Sequence, residues 1–257
     1  MSESLKWFFT FFKLQVCSCI FPFLVFGCLA VSHLFAGVIP RYDFMLIACL
    51  LIQSILFYTG VETKDEVLVI CVFHLLGLCM ELFKVRIGSW SYPEFAYTKI
   101  GGVPLYSGFM YASVASYLCQ AWRNFNLQMV EWPPHWPVGI VGAMIYINFF
   151  TNHYIIDLRY YIGVLILLLF FRAKVIFHIN KKPYRMPVIV SFLLIGFFIW
   201  LAENVATRFG AWKYAYQHKT WAMVDYHKIS SWAFLVIVSY IIVAELKMLK
   251  KDISYQQ

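Results

Sequence analysis

The chain has 257 residues, 62% hydrophobic and 13% charged, with 21 Lys and Arg against 13 Asp and Glu. A soluble domain carries about 25% charged residues, so this composition excludes a soluble domain, a disordered chain and a disulfide-stapled secreted module. It points to a multi-pass membrane protein. The net charge of +8 is spread over the loops between apolar runs, which reads as membrane orientation and attraction to anionic headgroups, not nucleic-acid binding.

Near the start, Trp7, Phe8, Phe9, Phe11 and Phe12 lie between Lys6 and Lys13. That pattern predicts a short interfacial helix. Eight apolar segments follow, at about 15–36, 44–60, 67–84, 104–122, 137–153, 159–178, 187–205 and 229–246. The predicted fold is therefore an all-α polytopic membrane protein of about eight transmembrane helices, forming one membrane domain over residues 1–257. The runs are long and continuous rather than alternating, which argues against a closed β-barrel. The loop from Trp122 to Pro137 holds Trp132, Pro133, Pro134 and Trp136 and is expected to be irregular backbone at headgroup level. The seven cysteines fall inside apolar runs with no CxxC spacing, so they read as small hydrophobes.

Eight spans put both termini on one side. Assigning Lys and Arg to alternate loops gives that side twelve, including Arg172, Lys174, Lys181, Lys182 and Arg185, and the other side nine. The positive-inside rule then places both termini in the cytoplasm.

The most informative feature is an internal repeat. Glu81-Leu-Phe-Lys-Val-Arg86-Ile-Gly88-Ser-Trp90-Ser-Tyr92 and Glu203-Asn-Val-Ala-Thr-Arg208-Phe-Gly210-Ala-Trp212-Lys-Tyr214 both read E-x4-R-x-G-x-W-x-Y. The offset of 122 residues also carries the third and fourth apolar segments onto the seventh and eighth. Two tandem four-helix repeats follow, one over about 14–122 and the other over about 137–246. Four spans per half is an even number, so the repeats are expected to be parallel about an axis along the membrane normal.

Carboxylates near the ends of apolar helices are costly unless paired or protonated. Glu81 and Glu203 are thus the candidate catalytic acids. Arg86, Trp90, Tyr92, Arg208, Trp212 and Tyr214 are the candidate substrate-binding residues, with cationic heads for a headgroup and flat faces for an apolar chain. The bland alternative is a Glu–Arg staple at each helix end with interfacial aromatic anchors. Gly88 and Gly210 suit a helix C-terminus or a tight turn. His33, Asp43, Asn152, His153, Asp157, Arg159, Asp225 and His227 would share the motif face, Asp157 and Arg159 as a helix-end salt bridge. His74 reads as a core histidine bonded to a carbonyl. No HxxxH, HExxH, GxGxxG or GxxxxGK[ST] pattern is present, so no metal, nucleotide or other cofactor is predicted.

Along its whole length, through Glu81 to Tyr92, Gly101-Gly-Val-Pro-Leu105 and Glu203 to Tyr214, the chain resembles the YoaT-like bacterial integral-membrane proteins, a family of unknown function; that resemblance implies a bacterial cytoplasmic (inner) membrane and supplies no activity. Glu81, Arg86, Gly88, Tyr92 and Gly102-Val-Pro-Leu105 also resemble, more distantly, the E…R-x-G…Y…G-V-P-L pattern of membrane carotenoid hydratases. That resemblance implies addition of water to an isoprenoid double bond. The chain departs from it at Ile87 and at Ser89-Trp90-Ser91, where the hydratases are Gly-rich, and the second half lacks GVPL.

Three readings remain in play: an intramembrane protein that modifies or binds a lipid or isoprenoid, a small-molecule transporter, and a non-catalytic membrane partner. The lipid bilayer is the predicted environment in all three. A site at the motifs favours the first, and a polar site at the midplane favours the second.

Overall fold

Without water to bond the backbone, an apolar run folds as a helix that satisfies its own N–H and C=O groups. The computed structural model describes residues 3–255 and follows that rule through most of the chain. In order come α1 (Glu3–Ser18), α2 (Ile20–Val31), α3 (Arg41–Tyr58) and α4 (Lys64–Arg86), then the two-residue strands β1 (Trp90–Ser91), β2 (Lys99–Ile100) and β3 (Val103–Pro104). They are followed by α5 (Gly108–Asn124), β4 (Gln128–Val130), α6 (His135–Thr151), α7 (Arg159–Phe170), β5 (Lys174–Ile179), β6 (Lys182–Pro187), α8 (Val188–Arg208), β7 (Lys213–Tyr214) and α9 (Lys228–Tyr255).

Among the described residues, four helices are long and apolar enough to cross a membrane: α3, α4, α8 and the stretch Lys228–Glu245 of α9. Glu3–Ser18 and Ile20–Phe35 pass the same test together, but the chain bends by 67° between them. Among the described residues the count is therefore four, or five with the bent pair, where the hydropathy pattern predicts eight. The expected spans at 104–122, 137–153 and 159–178 hold helices of 17, 17 and 12 residues, short of the ~20 residues a straight crossing takes.

Two expectations are corrected. The apolar stretch 159–178 is not one helix: it ends at Phe170, and Lys174–Ile179 is a strand. The Trp122–Pro137 loop is not wholly irregular, because α5 runs on to Asn124 and β4 pairs with β5.

The chain divides into two compact units. One comprises residues through Leu14, 121–200 and from Tyr226 onward. Its antiparallel sheet has the order β4-β5-β6, and α6 packs on α7 and α9. Gly196 lets α8 approach α9 closely, since a Cβ there would lie 2.9 Å from the Cα of Ala233. Phe170, Phe192, Trp132 and Tyr240 form an aromatic core with ring centroids 5.1–6.2 Å apart. Asp157 and Arg159 form the expected helix-end pair at 3.2 Å.

The other unit comprises residues 15–120 and 201–225 and contains both motifs. Here α2 packs on α3, and the segment between α4 and α5 folds back along α4. α5 begins beside His74: a Cβ on Gly108 would lie 2.7 Å from the His74 Nδ1 and carbonyl oxygen. His74 lies about 18 Å along α4 from Arg86, at 1.5 Å per residue.

Candidate functional site

Both motifs begin at a helix end built in the same way. α4 starts on a capping box between Thr63 and Glu66 and stops at Gly88. The Gly88 N–H donates to Val85 O at 3.0 Å and the Ser89 N–H to Lys84 O at 2.9 Å. α8 stops at Gly210, with Gly210 N–H to Thr207 O at 3.1 Å and Ala211 N–H to Ala206 O at 3.0 Å. These are Schellman ends, which need a left-handed residue. The φ values are +74° at Gly88 and +73° at Gly210. The helix-stop role expected of both glycines is what the structure has.

Past each turn the chain is extended, and the two extended pieces pair. β1 and β7 are antiparallel, with Trp90 opposite Tyr214 and Ser91 opposite Lys213. Under the 122-residue offset Ser91 thus faces its own counterpart, and Trp90 faces the counterpart of Tyr92. The two motifs meet about a local two-fold, and the ring centroids of Trp90 and Tyr214 stand edge to face at 6.0 Å.

This pairing encloses two buried carboxyls, Glu81 and Glu203, each 3% exposed. Glu81 Oε2 accepts from Trp90 Nε1 and from the Tyr92 hydroxyl, both at 2.7 Å. Its Oε1 accepts from the Tyr111 hydroxyl at 2.8 Å. The Tyr214 hydroxyl donates to Glu203 Oε1, repeating the bond from Tyr92 to Glu81 at the same sequence spacing. Trp212 is buried beside Tyr214.

A buried carboxyl oxygen without a hydrogen bond is costly; the three donors satisfy both oxygens of Glu81 without a basic partner. The tyrosines serve as donors. Burial first, and the facing Glu81 charge next, push the Tyr92 hydroxyl well above the ordinary phenol range. Burial and Glu203 do the same to Tyr214.

The structure therefore brings Glu81, Trp90, Tyr92, Glu203, Trp212 and Tyr214 together. The two motif arginines stand apart. Arg86 is exposed, and the exposed Arg208 lies over the Trp221 ring at 5.9 Å. A Glu81–Arg86 staple does not form: the bonds to Glu81 come from Trp90, Tyr92 and Tyr111. Nor is His74 tied to a carbonyl, since its Nδ1 is buried without a hydrogen-bond partner among the described residues.

Sequence reasoning missed Tyr111, which reaches Glu81 across Gly77. A Cβ at Gly77 would sit 2.5 Å from the tyrosine ring. It also missed the frame behind the site, Asp43 excepted. Buried Arg41 donates to Ser32 Oγ at 3.1 Å, to Glu94, and to Phe209 O at 2.7 Å. The Tyr106 hydroxyl donates to Ala211 O at 2.6 Å. Asp43 accepts the Tyr97 and Thr98 N–H groups at 2.8 and 2.9 Å. Gly101 and Gly102, with φ +56° and +82°, close the β2–β3 hairpin as a two-residue turn. Among the described residues no group of three or more His, Cys, Asp or Glu side chains could hold a metal ion.

The DUF817 profile, described as a protein of unknown function, matches residues 7–240. The chain is 54% identical over 239 residues to the uncharacterized protein YoaT of Bacillus subtilis (strain 168), covering 93% of this chain and 90% of that protein. No solved structure matches.

Proposed function

We propose, from the premise that this chain belongs to the DUF817 family of unknown function, that it is a multi-pass bacterial membrane protein whose two motifs build one intramembrane acid–base site for a lipid or isoprenoid. The observation that carries this reading is Glu81: buried, with both oxygens bonded by three neutral donors, in a unit that also buries Glu203.

The chemistry follows from the residues. Glu81 or Glu203 donates its proton to one alkene carbon, and positive charge develops on the other. The faces of Trp90, Tyr92, Trp212 and Tyr214 stabilise that charge. Water that adds to the cation returns a proton to the carboxylate. An arginine against the acid would hold it ionised, the wrong form for this step; Arg86 lies away from Glu81 and is free to meet a headgroup. In this reading the shorter helices also lie in the bilayer, completing eight segments in two parallel repeats, and both termini face the cytoplasm. The shared helix ends at Arg86 and Arg208, with their identical glycine stops, support the duplication.

Mass spectrometry of lipids retained by the purified protein tests this. A defined isoprenoid or lipid enriched far above its membrane abundance is expected. Bulk lipids in bilayer proportions would reject the reading.

One observation favours transport as a second reading. α5 starts halfway along α4, and at that helix N-terminus His74 Nδ1 and the Ser107 hydroxyl are buried without partners among the described residues. Half-helix N-termini are where transporters hold polar substrate. Solute or proton flux into proteoliposomes, abolished by His74→Ala, would establish it in place of the enzyme.

A further inference from the structure

A second feature belongs to the unit that holds α1 and the β5–β6 hairpin. There α1 lies on the β5–β6 hairpin. Its inner side carries Trp7, Thr10 and Phe11. Trp7 meets Tyr184 edge-on at 5.8 Å, Phe11 meets Phe125 at 5.7 Å, and Thr10 bonds Asn180 at 3.1 Å. Its opposite side presents Phe8, Phe9 and Phe12, each more than half exposed. Lys6 and Lys13, seven residues apart, share one flank of that apolar face and are exposed. A helix packed on protein by one face and bare and apolar on the other, with a lysine margin, fits the acyl–headgroup boundary.

The hairpin adds charge beside it. Ile179 pairs with Lys182, so Asn180 and Lys181 form the two-residue turn, with φ +51° and +63°. Glycine takes that conformation without strain, whereas a lysine does not. A cation is thus kept at a position whose backbone prefers another residue. Lys181, Lys182 and Arg185 are all exposed. Of these, Lys182 comes within 3.8 Å of Glu3, a loose and solvent-open pair.

We propose that α1 and the β5–β6 hairpin form a binding surface for the anionic headgroups of the membrane leaflet they face. The phenylalanines enter the acyl boundary, and Lys6, Lys13, Lys181, Lys182 and Arg185 take the lipid phosphates. The occupant is an acidic phospholipid surface because the patch joins an exposed apolar face to exposed cations, and lipid alone offers both partners in one plane.

The test uses the full-length protein in phosphatidylcholine nanodiscs containing about a third phosphatidylglycerol, a fraction sufficient to set up a negative surface. Electron paramagnetic resonance reads the preference for spin-labelled phosphatidylglycerol over spin-labelled phosphatidylcholine. The wild type should prefer phosphatidylglycerol, and less so at high salt. Each cation removed near the surface should weaken the preference by up to about fivefold. The double change Lys181→Glu, Arg185→Glu should abolish it at an unchanged melting temperature. The neutral pair Lys181→Gln, Arg185→Gln should reduce it, and decides the matter if the charge-reversed protein does not fold. Absence of preference in the wild type, or an undiminished preference in the folded variants, overturns the proposal.

Discussion

Ser91 and Lys213 face each other across β1 and β7, and each is the other's counterpart in the repeated motif. An antiparallel pairing centred on equivalent residues relates the two motifs locally by a two-fold. It places Trp90 of one motif against Tyr214 of the other, so neither buried glutamate has an enclosure made from its own motif alone. A change in either motif should therefore register at both.

The tight passage of Tyr111 over Gly77 gives the first prediction. Gly77→Ala places a methyl group where the ring now lies. Either the ring moves and its bond to Glu81 is lost, or the helices part. Overpacking of this kind costs about 1–3 kcal/mol. Thermal unfolding of the detergent-solubilised protein should show a clear drop, and an unchanged midpoint would mean the contact is slack.

The two helix stops should differ in tolerance. Alanine at Gly88 or Gly210 meets the same left-handed backbone, a cost of roughly 1–2 kcal/mol. Nothing lies within 4 Å of a Cβ at Gly88, whereas one at Gly210 meets Arg41 at 3.4 Å. Gly210→Ala should thus be the more destabilising when the two melting curves are compared. The reverse order would show that Arg41 does not hold the second turn.

Much of this was legible in the sequence. Gly88 and Gly210 mark helix ends because only a residue free of Cβ strain closes that turn. The spacing from glutamate to tyrosine in each motif is the spacing of a real hydrogen bond. The Glu–Arg staple misled, although the spacing held the answer: five residues along a helix turn a side chain about 140° away from its partner. Tyr111 was hidden because its counterpart under the offset is Ala233, so the repeat could not point to it. The segment 174–179 resembled the end of a helical span because short runs of Val, Ile and Phe suit helix and strand alike. Arg172 and Lys174 were the break that separated them.

Asp157 supplies a pH test. Burial would raise its carboxyl, but bonds from the Asn148 amide and the Arg159 N–H, with the charges of Arg159 and His153, outweigh that and hold it below the usual range. A depressed carboxyl contributes stability above its unfolded value and loses it as pH falls through the folded one. The gap in melting temperature between wild type and Asp157→Asn should persist from neutrality down to about pH 4 and close below it. A gap that persists in acid would show that the charge is not what stabilises the loop.

The most direct measurement pairs Glu81→Gln with the wild type, recording melting temperature and retained or converted lipid in the same preparations. Glutamine keeps an acceptor oxygen for Trp90 and Tyr92 but cannot deliver an acidic proton. An acid–base site predicts nearly unchanged melting with loss of the bound or converted lipid. A protein that melts much earlier yet still carries the same lipid would contradict it, and would leave the paired motifs as a structural clasp.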